Sequence, residues 1–152
     1  MDYSHYEHLD VEVLDGIALI TMNRPESLNS ANFQLHYELS KIWLDIGGDD
    51  SVKVAVITGA GNAFSAGGDF EMIESAIGNP AIIAQNTKEA GDIVYNLMNL
   101  DKPVISAING VAVGAGLAVA LLADISIASE KARITDGHTR LGVAAGDHAA
   151  MI

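Results

Sequence analysis

DKPVISAINGVAVGAGLAVALLADISIAS, Asp101 to Ser129, holds two short apolar runs around a glycine-rich turn and a small apolar helix. PVISAI (Pro103–Ile108) is rich in β-branched residues and reads as a buried strand. NGVAVGAG then turns into LAVALLA, a small buried helix, and DISIAS is another short strand. Strand, glycine turn, helix and strand in this order form a unit of an α/β sheet.

The pattern repeats upstream. KVAVITG (Lys53–Gly59) is a buried strand, followed by the loop GAGNAFSAGG and a helix opening at DFEMI. LDVEVLDGIALITMN alternates and breaks at Asp15-Gly16, a hairpin signal. Asn32–Ile46 carries Leu35, Leu39, Ile42, Trp43 and Ile46 at helical spacing, and Ile83–Leu97 repeats it. Strands alternating with helices give an α/β domain with much parallel sheet.

Composition narrows the function. The 152 residues are 49% hydrophobic and 18% charged, enough for one globular core. A net charge of −12 with 8 Lys and Arg repels phosphate backbones, so no nucleic-acid partner is expected. Without cysteine there are no disulfides, thiol nucleophiles or thiolate metal sites, which fits a cytoplasmic location. No other cluster has metal-ligand spacing, so no metal is expected. MDYSHYEHLDVEV lacks the basic and apolar regions of a signal peptide, and Val111–Ala123 is too short to span a bilayer.

Two glycine loops each follow a buried strand and lead into a helix. The first ends at Ala66-Gly67-Gly68-Asp69, the second at Gly114-Ala115-Gly116. Backbone N–H groups at a helix start are unpaired and partly positive, and small residues let a ligand approach them. Two such groups converging would form an oxyanion hole. Each loop alone also reads as an ordinary turn with tight packing. VITGAG further resembles the opening of short-chain dehydrogenases. That reading fails, because Ala63 and Phe64 break the glycine spacing and no Tyr-x-x-x-Lys follows.

NRPESLNS (Asn23–Ser30), VAVITGAGNAFSAGGDF (Val54–Phe70), Asp101–Ser129 and ITDGHTRLGVAAGD (Ile134–Asp147) together resemble the crotonase, or enoyl-CoA hydratase/isomerase, superfamily. The resemblance covers nearly the whole chain. It implies a spiral of ββα units and an enzyme that binds acyl-CoA thioesters and stabilises an enolate. The coenzyme A is part of the substrate, and no separate cofactor is implied. The two oxyanion donors carry over to Gly68 and Ala115. Ala66, Gly67, Gly114 and Ala118 would line the substrate, and Arg24 could meet a coenzyme A phosphate. Asp69 reads as an acidic residue in the first turn of a helix. Glu71 stands where relatives often carry a coenzyme-A-binding lysine.

The resemblance also implies that residues 1–152 are the core of a longer domain. Met151-Ile152 would fall in a helix, and further helices would cover the site and build a homo-trimer or a dimer of trimers.

The chemistry departs from the family pattern. The two glutamates of a hydratase would fall on Ala118 and His138. Alanine moves no proton, but histidine does so near neutral pH. Asp147 lies nine residues beyond His138, where some branches place a carboxylate. His138 and Asp147 are thus the catalytic candidates, with His148 secondary. His5, His8 and His36 read as surface residues and Asp124 as structural. These residues favour isomerisation or hydrolysis over hydration. A β-diketone C–C hydrolase using a His/Asp-activated water, and a non-catalytic acyl-CoA-binding or assembly protein, are the alternatives.

Overall fold

The computed structural model describes residues 1–142 and 144–151. β1 (Leu9–Leu14) and β2 (Ile17–Met22) form the expected antiparallel hairpin. Asp15 and Gly16 turn it with φ of 52° and 85°, as a two-residue turn matched to strand twist requires. α1 (Phe33–Gly48) starts at Asn32, whose side chain accepts the Leu35 N–H at 2.9 Å.

Three further units follow. β3 (Val54–Gly59) and β4 (Ala63–Ser65) lead to α2 (Phe70–Ala76) and α3 (Pro80–Met98). β5 (Val104–Ile108) and β6 (Val111–Val113) lead to α4 (Gly114–Leu122), and β7 (Ile125–Ala128) and β8 (Arg133–Thr135) lead to α5 (His138–Leu141). A 3-10 turn, His148–Met151, ends the described chain, and Ile152 of the expected terminal helix lies outside the described residues.

In each of these units the first strand joins a five-stranded sheet, β1-β2-β3-β5-β7, and the second joins a three-stranded sheet, β4-β6-β8. Only β1 runs antiparallel; every other pairing is parallel. This is the spiral of ββα units that the resemblance implies. α1 packs on α3, and Leu35, Leu39, Ile42, Trp43, Ile57 and Ile93 are fully enclosed in the core. No helix among the described residues is long and apolar enough to cross a membrane.

β4, β6 and β8 fall in stretches that the sequence presents as loops or turns. Three residues cannot display a hydrophobic period, so their order comes from pairing with one another. Gly110, just before β6, makes this close pairing possible: a Cβ there would lie 2.0 Å from the carbonyl oxygen of Asn62. Backbone cannot yield as a flexible side chain can. Gly110→Ala is therefore expected to lower stability by about 1–3 kcal/mol or more in urea unfolding. Gly146→Ala, with open space around it, should stay within about 0.5 kcal/mol. Equal effects of the two would contradict this packing.

Candidate active site

The three strands of the small sheet end at one edge. After β4 comes Ala66-Gly67-Gly68, after β6 comes Gly114-Ala115, and after β8 comes Asp136-Gly137-His138. β6 sits between its neighbours, with Ala112 beside Ser65 and Val113 beside Thr135. The carboxyl ends of parallel strands are where open α/β sheets bind ligands. The three loops pack together there. A Cβ on Gly114 would lie 3.4 Å from Gly67 Cα and 3.7 Å from Gly68 N, and one on Gly137 would lie 3.4 Å from Val113 Cγ1.

The first loop is clamped from outside. Ala66 donates its N–H to Leu28 O at 3.0 Å, Ala31 donates to Gly67 O at 2.7 Å, and Asp69 donates to Ala31 O at 2.9 Å. Buried Asn29 donates to the carbonyls of Ala60 and Ala63, both at 2.9 Å, and accepts the Arg24 N–H at 2.9 Å. Among the described residues, neither the Gly68 N–H nor the Ala115 N–H donates to a protein acceptor. Gly68 is solvent-exposed. Gly67 (φ 91°) and Gly114 (φ 54°) take the left-handed backbone that turns each strand into its helix. Side chains of Asn32, Asp69 and Asn79 cap α1, α2 and α3, whereas α4 has no side-chain cap, so its first N–H groups stay open to a ligand.

His138 is 8% exposed and opens α5. Its Nε2 lies 3.1 Å from Asp147 Oδ2, and its Nδ1 is bonded to Asp136 Oδ1. The Asp136 carboxylate also accepts the His138 backbone N–H at 3.2 Å. Burial pulls the His138 pKa down, but the two carboxylates outweigh it and hold the imidazole above its ordinary 6.5. Carboxylates on both nitrogens favour the protonated form of His138 more than water would. Burial pushes Asp147 up, but His148, the Ala149 N–H and His138 outweigh it and keep its carboxyl well below the usual range. Asp136 is lowered by its bonds to His138.

The catalytic candidates His138 and Asp147 are therefore in contact. Asp136, which the sequence reading did not single out, completes the set. The signal was present: Asp-Gly before a histidine forms a turn in which the aspartate side chain caps the N–H two residues on. Asp69 caps α2 by accepting the Glu71 N–H at 3.1 Å. Asp124 is structural, accepting the Val104 N–H at 2.8 Å. Arg24 bonds Ser30 O and lies 3.7 Å from Asp69 Oδ2, so its guanidinium joins the clamp to the start of α2. Ala118 is fully buried and presents no surface to a ligand in this arrangement.

His5 is exposed, as expected, but two other histidines depart from the surface assignment. His8 is half-buried, with Nε2 3.2 Å from Asn32 Nδ2. His36 is 4% exposed and its Nδ1 lies 2.8 Å from Glu89 Oε2. His36 precedes Leu39 by three residues and Trp43 by seven, so it shares their inward stripe. His148 is also buried, at 6% exposure.

The enoyl-CoA hydratase/isomerase family model matches residues 12–152. The chain belongs to the enoyl-CoA hydratase/isomerase family. A relative from Arabidopsis thaliana, named as a probable peroxisomal enoyl-CoA hydratase 1, is 40% identical over 84% of this chain and 46% of its own length. The 1,2-epoxyphenylacetyl-CoA isomerase of Escherichia coli K12 is 36% identical over 84% of this chain and 50% of its own. The crystal structure of an enoyl-CoA hydratase/isomerase from Mycobacterium paratuberculosis superposes with a TM-score of 0.86 at 38% identity, covering 89% of this chain and 54% of that one. The chain thus spans about half the length of the curated relatives it matches. The folds agree, and the mixed α/β spiral is the crotonase fold of this family.

The charged cluster sets a pH window for stability. The His138 value in the fold lies above 6.5, so its contribution is complete below 6.5 and is lost as pH rises through the folded value. Asp136 and Asp147 lie below 3.8 in the fold, so theirs is complete above 3.8 and is lost as pH falls through the folded values. The stability lost in His138→Gln should therefore be largest between about pH 4 and 6.5 and shrink above it, as read by thermal unfolding across pH. A pH-independent difference would contradict the double ion pair.

Proposed function

We propose that this chain forms the thioester-binding and proton-moving core of an enzyme that acts on an acyl-CoA. The observation that carries the proposal is the meeting of two open N–H donors, Gly68 and Ala115, with buried His138 and its half-buried partner Asp147 at one sheet edge. In this proposal the donors hold the thioester oxygen as it gains negative charge. Removing one such donor typically raises a barrier by about 3–4 kcal/mol.

Isomerisation suits this equipment. The His138–Asp147 pair takes a proton from a carbon made acidic by the thioester, the resulting enolate oxygen rests on the two N–H groups, and the same pair returns the proton to another carbon. No atom is gained or lost overall. Asp136 holds the His138 ring, as orienting carboxylates do for catalytic histidines. Ala118 and His138, at the two positions where a hydratase would keep glutamates, support isomerisation or hydrolysis over hydration. A trimeric or hexameric assembly is part of the proposal, supported by the exposed apolar residues Leu121, Ile125, Ile127 and Leu141. A cytoplasmic location is also proposed, on the cysteine-free composition.

His138→Ala should lower kcat by about tenfold or more while acyl-CoA binding, read by calorimetry, is retained. Unchanged turnover on a panel of enoyl-, dienoyl- and β-ketoacyl-CoAs would remove His138 from the reaction. Failure to bind any acyl-CoA would favour the β-diketone C–C hydrolase. Binding without turnover on the whole panel would favour a non-catalytic acyl-CoA-binding member.

A further inference from the structure

Behind His138 and Asp147 lies a second set of buried ionisable groups that the proposed chemistry does not use. His148 follows Asp147 directly and starts the 3-10 turn that packs against α3 and α4. Its Nδ1 lies 3.1 Å from Asp147 Oδ1. That atom is fully enclosed and makes no hydrogen bond of its own, so the contact is a close approach of ring nitrogen to carboxylate oxygen. On its other side the His148 ring meets the His36 ring edge-on, with centroids 6.0 Å apart and planes at 67°. His36 is fixed by Glu89, and Glu89 accepts Gln85 Nε2 at 2.9 Å. Burial pushes Glu89 up, but the bonds from His36 and Gln85 outweigh it and keep its carboxyl below the ordinary value.

α1, α3 and the 3-10 turn, far apart in sequence, thus place buried Glu89, His36 and His148 in one column that continues through half-buried Asp147 to His138. Among the described residues, His36 from α1 meets the His148 ring directly, with Glu89 from α3 behind it, and Asp147 lies on the other side. α4 carries no ionisable side chain. Among the described residues no three such side chains are grouped so as to hold a metal ion.

We propose that His148 is a positioning residue: backed by the Glu89–His36 pair, it holds the Asp147 carboxylate against His138. Asp147 Oδ1 accepts the Ala149 N–H at 2.9 Å, a single local bond that does not by itself fix the carboxylate's rotation. The enclosed imidazole blocks that rotation and draws Oδ1 inward. Oδ2 then faces His138 Nε2. The effect on turnover rests on the preceding proposal for His138 and Asp147; the positioning itself does not.

The test compares three replacements of His148 in the full chain, with the His138 imidazole followed by NMR on isotope-labelled histidine. Asn places its amide nitrogen where Nδ1 stood, Gln places it near Nε2, and Leu keeps bulk without a donor. In His148→Gln and His148→Leu the His138 midpoint should fall toward 6.5 by about half a unit or more, because Asp147 is released. His148→Asn should keep the wild-type midpoint. A midpoint that is the same or higher in the Gln variant, or equal shifts in the Asn and Gln variants, would overturn the proposal. The Asn–Gln contrast decides the matter even if the Leu variant does not fold. Turnover on the responsive acyl-CoA should follow the same order, with kcat lowered about tenfold in Gln and KM unchanged. Should no acyl-CoA be turned over, the titration alone still supports or overturns the positioning role.

Discussion

The site depends on the placement of one three-residue strand. β6 has no length to be stable alone and owes its order to parallel partners on both sides. Gly110 before it and Gly116 after it leave no room for a side chain, the first against Asn62 and the second against Ser65. Because both neighbours run parallel to β6, all three loops leave at the same edge. A slip of one residue would turn Val113 to the other face and carry Gly114 and Ala115 away from Gly68. The register of β6 is therefore also the geometry of the site.

On that scaffold two kinds of charge are kept apart. The chain has a net charge of −12 and offers no general attraction for an oxygen that becomes negative. In the proposed site the positive character is local, supplied without a side chain by the Gly68 N–H just ahead of α2 and by the N–H groups at the start of α4. A capping carboxylate at α4 would compete with a ligand, and α4 has no side-chain cap. Across the edge, His138 is held between the carboxylates of Asp136 and Asp147. Both carboxylates raise the proton affinity of the imidazole, so in the proposed reaction the position of Asp147 bears on how readily His138 moves a proton.

Much of this was legible in the sequence, and the rest was hidden for definable reasons. The hairpin at Asp15-Gly16, α1 and the strand Val54–Gly59 all announce themselves by period and turn chemistry. The two glycine loops were visible as strand-to-helix turns, and the family resemblance marked His138 and Asp147 as candidates. The short strands β4 and β8 were not visible, because three residues carry no period. Asp136 was hidden in an Asp-Gly turn that looks like any loop. His36 was read as polar and placed outside, although its position in the stripe of Leu39 and Trp43 pointed inward. Its burial is made tolerable by Glu89, fifty-three residues away, and no local pattern reveals a partner at that distance.

In the proposed enzyme the Gly68 and Ala115 N–H groups polarise one thioester oxygen. The most direct test is the infrared difference spectrum of an acyl-CoA labelled at its thioester carbonyl and bound to the protein. Two converging donors predict a carbonyl stretch displaced to lower frequency than in water, with the displacement reduced when Ala115→Pro removes one N–H at the start of α4. A bound carbonyl that absorbs at its solution frequency, in either protein, would contradict the account.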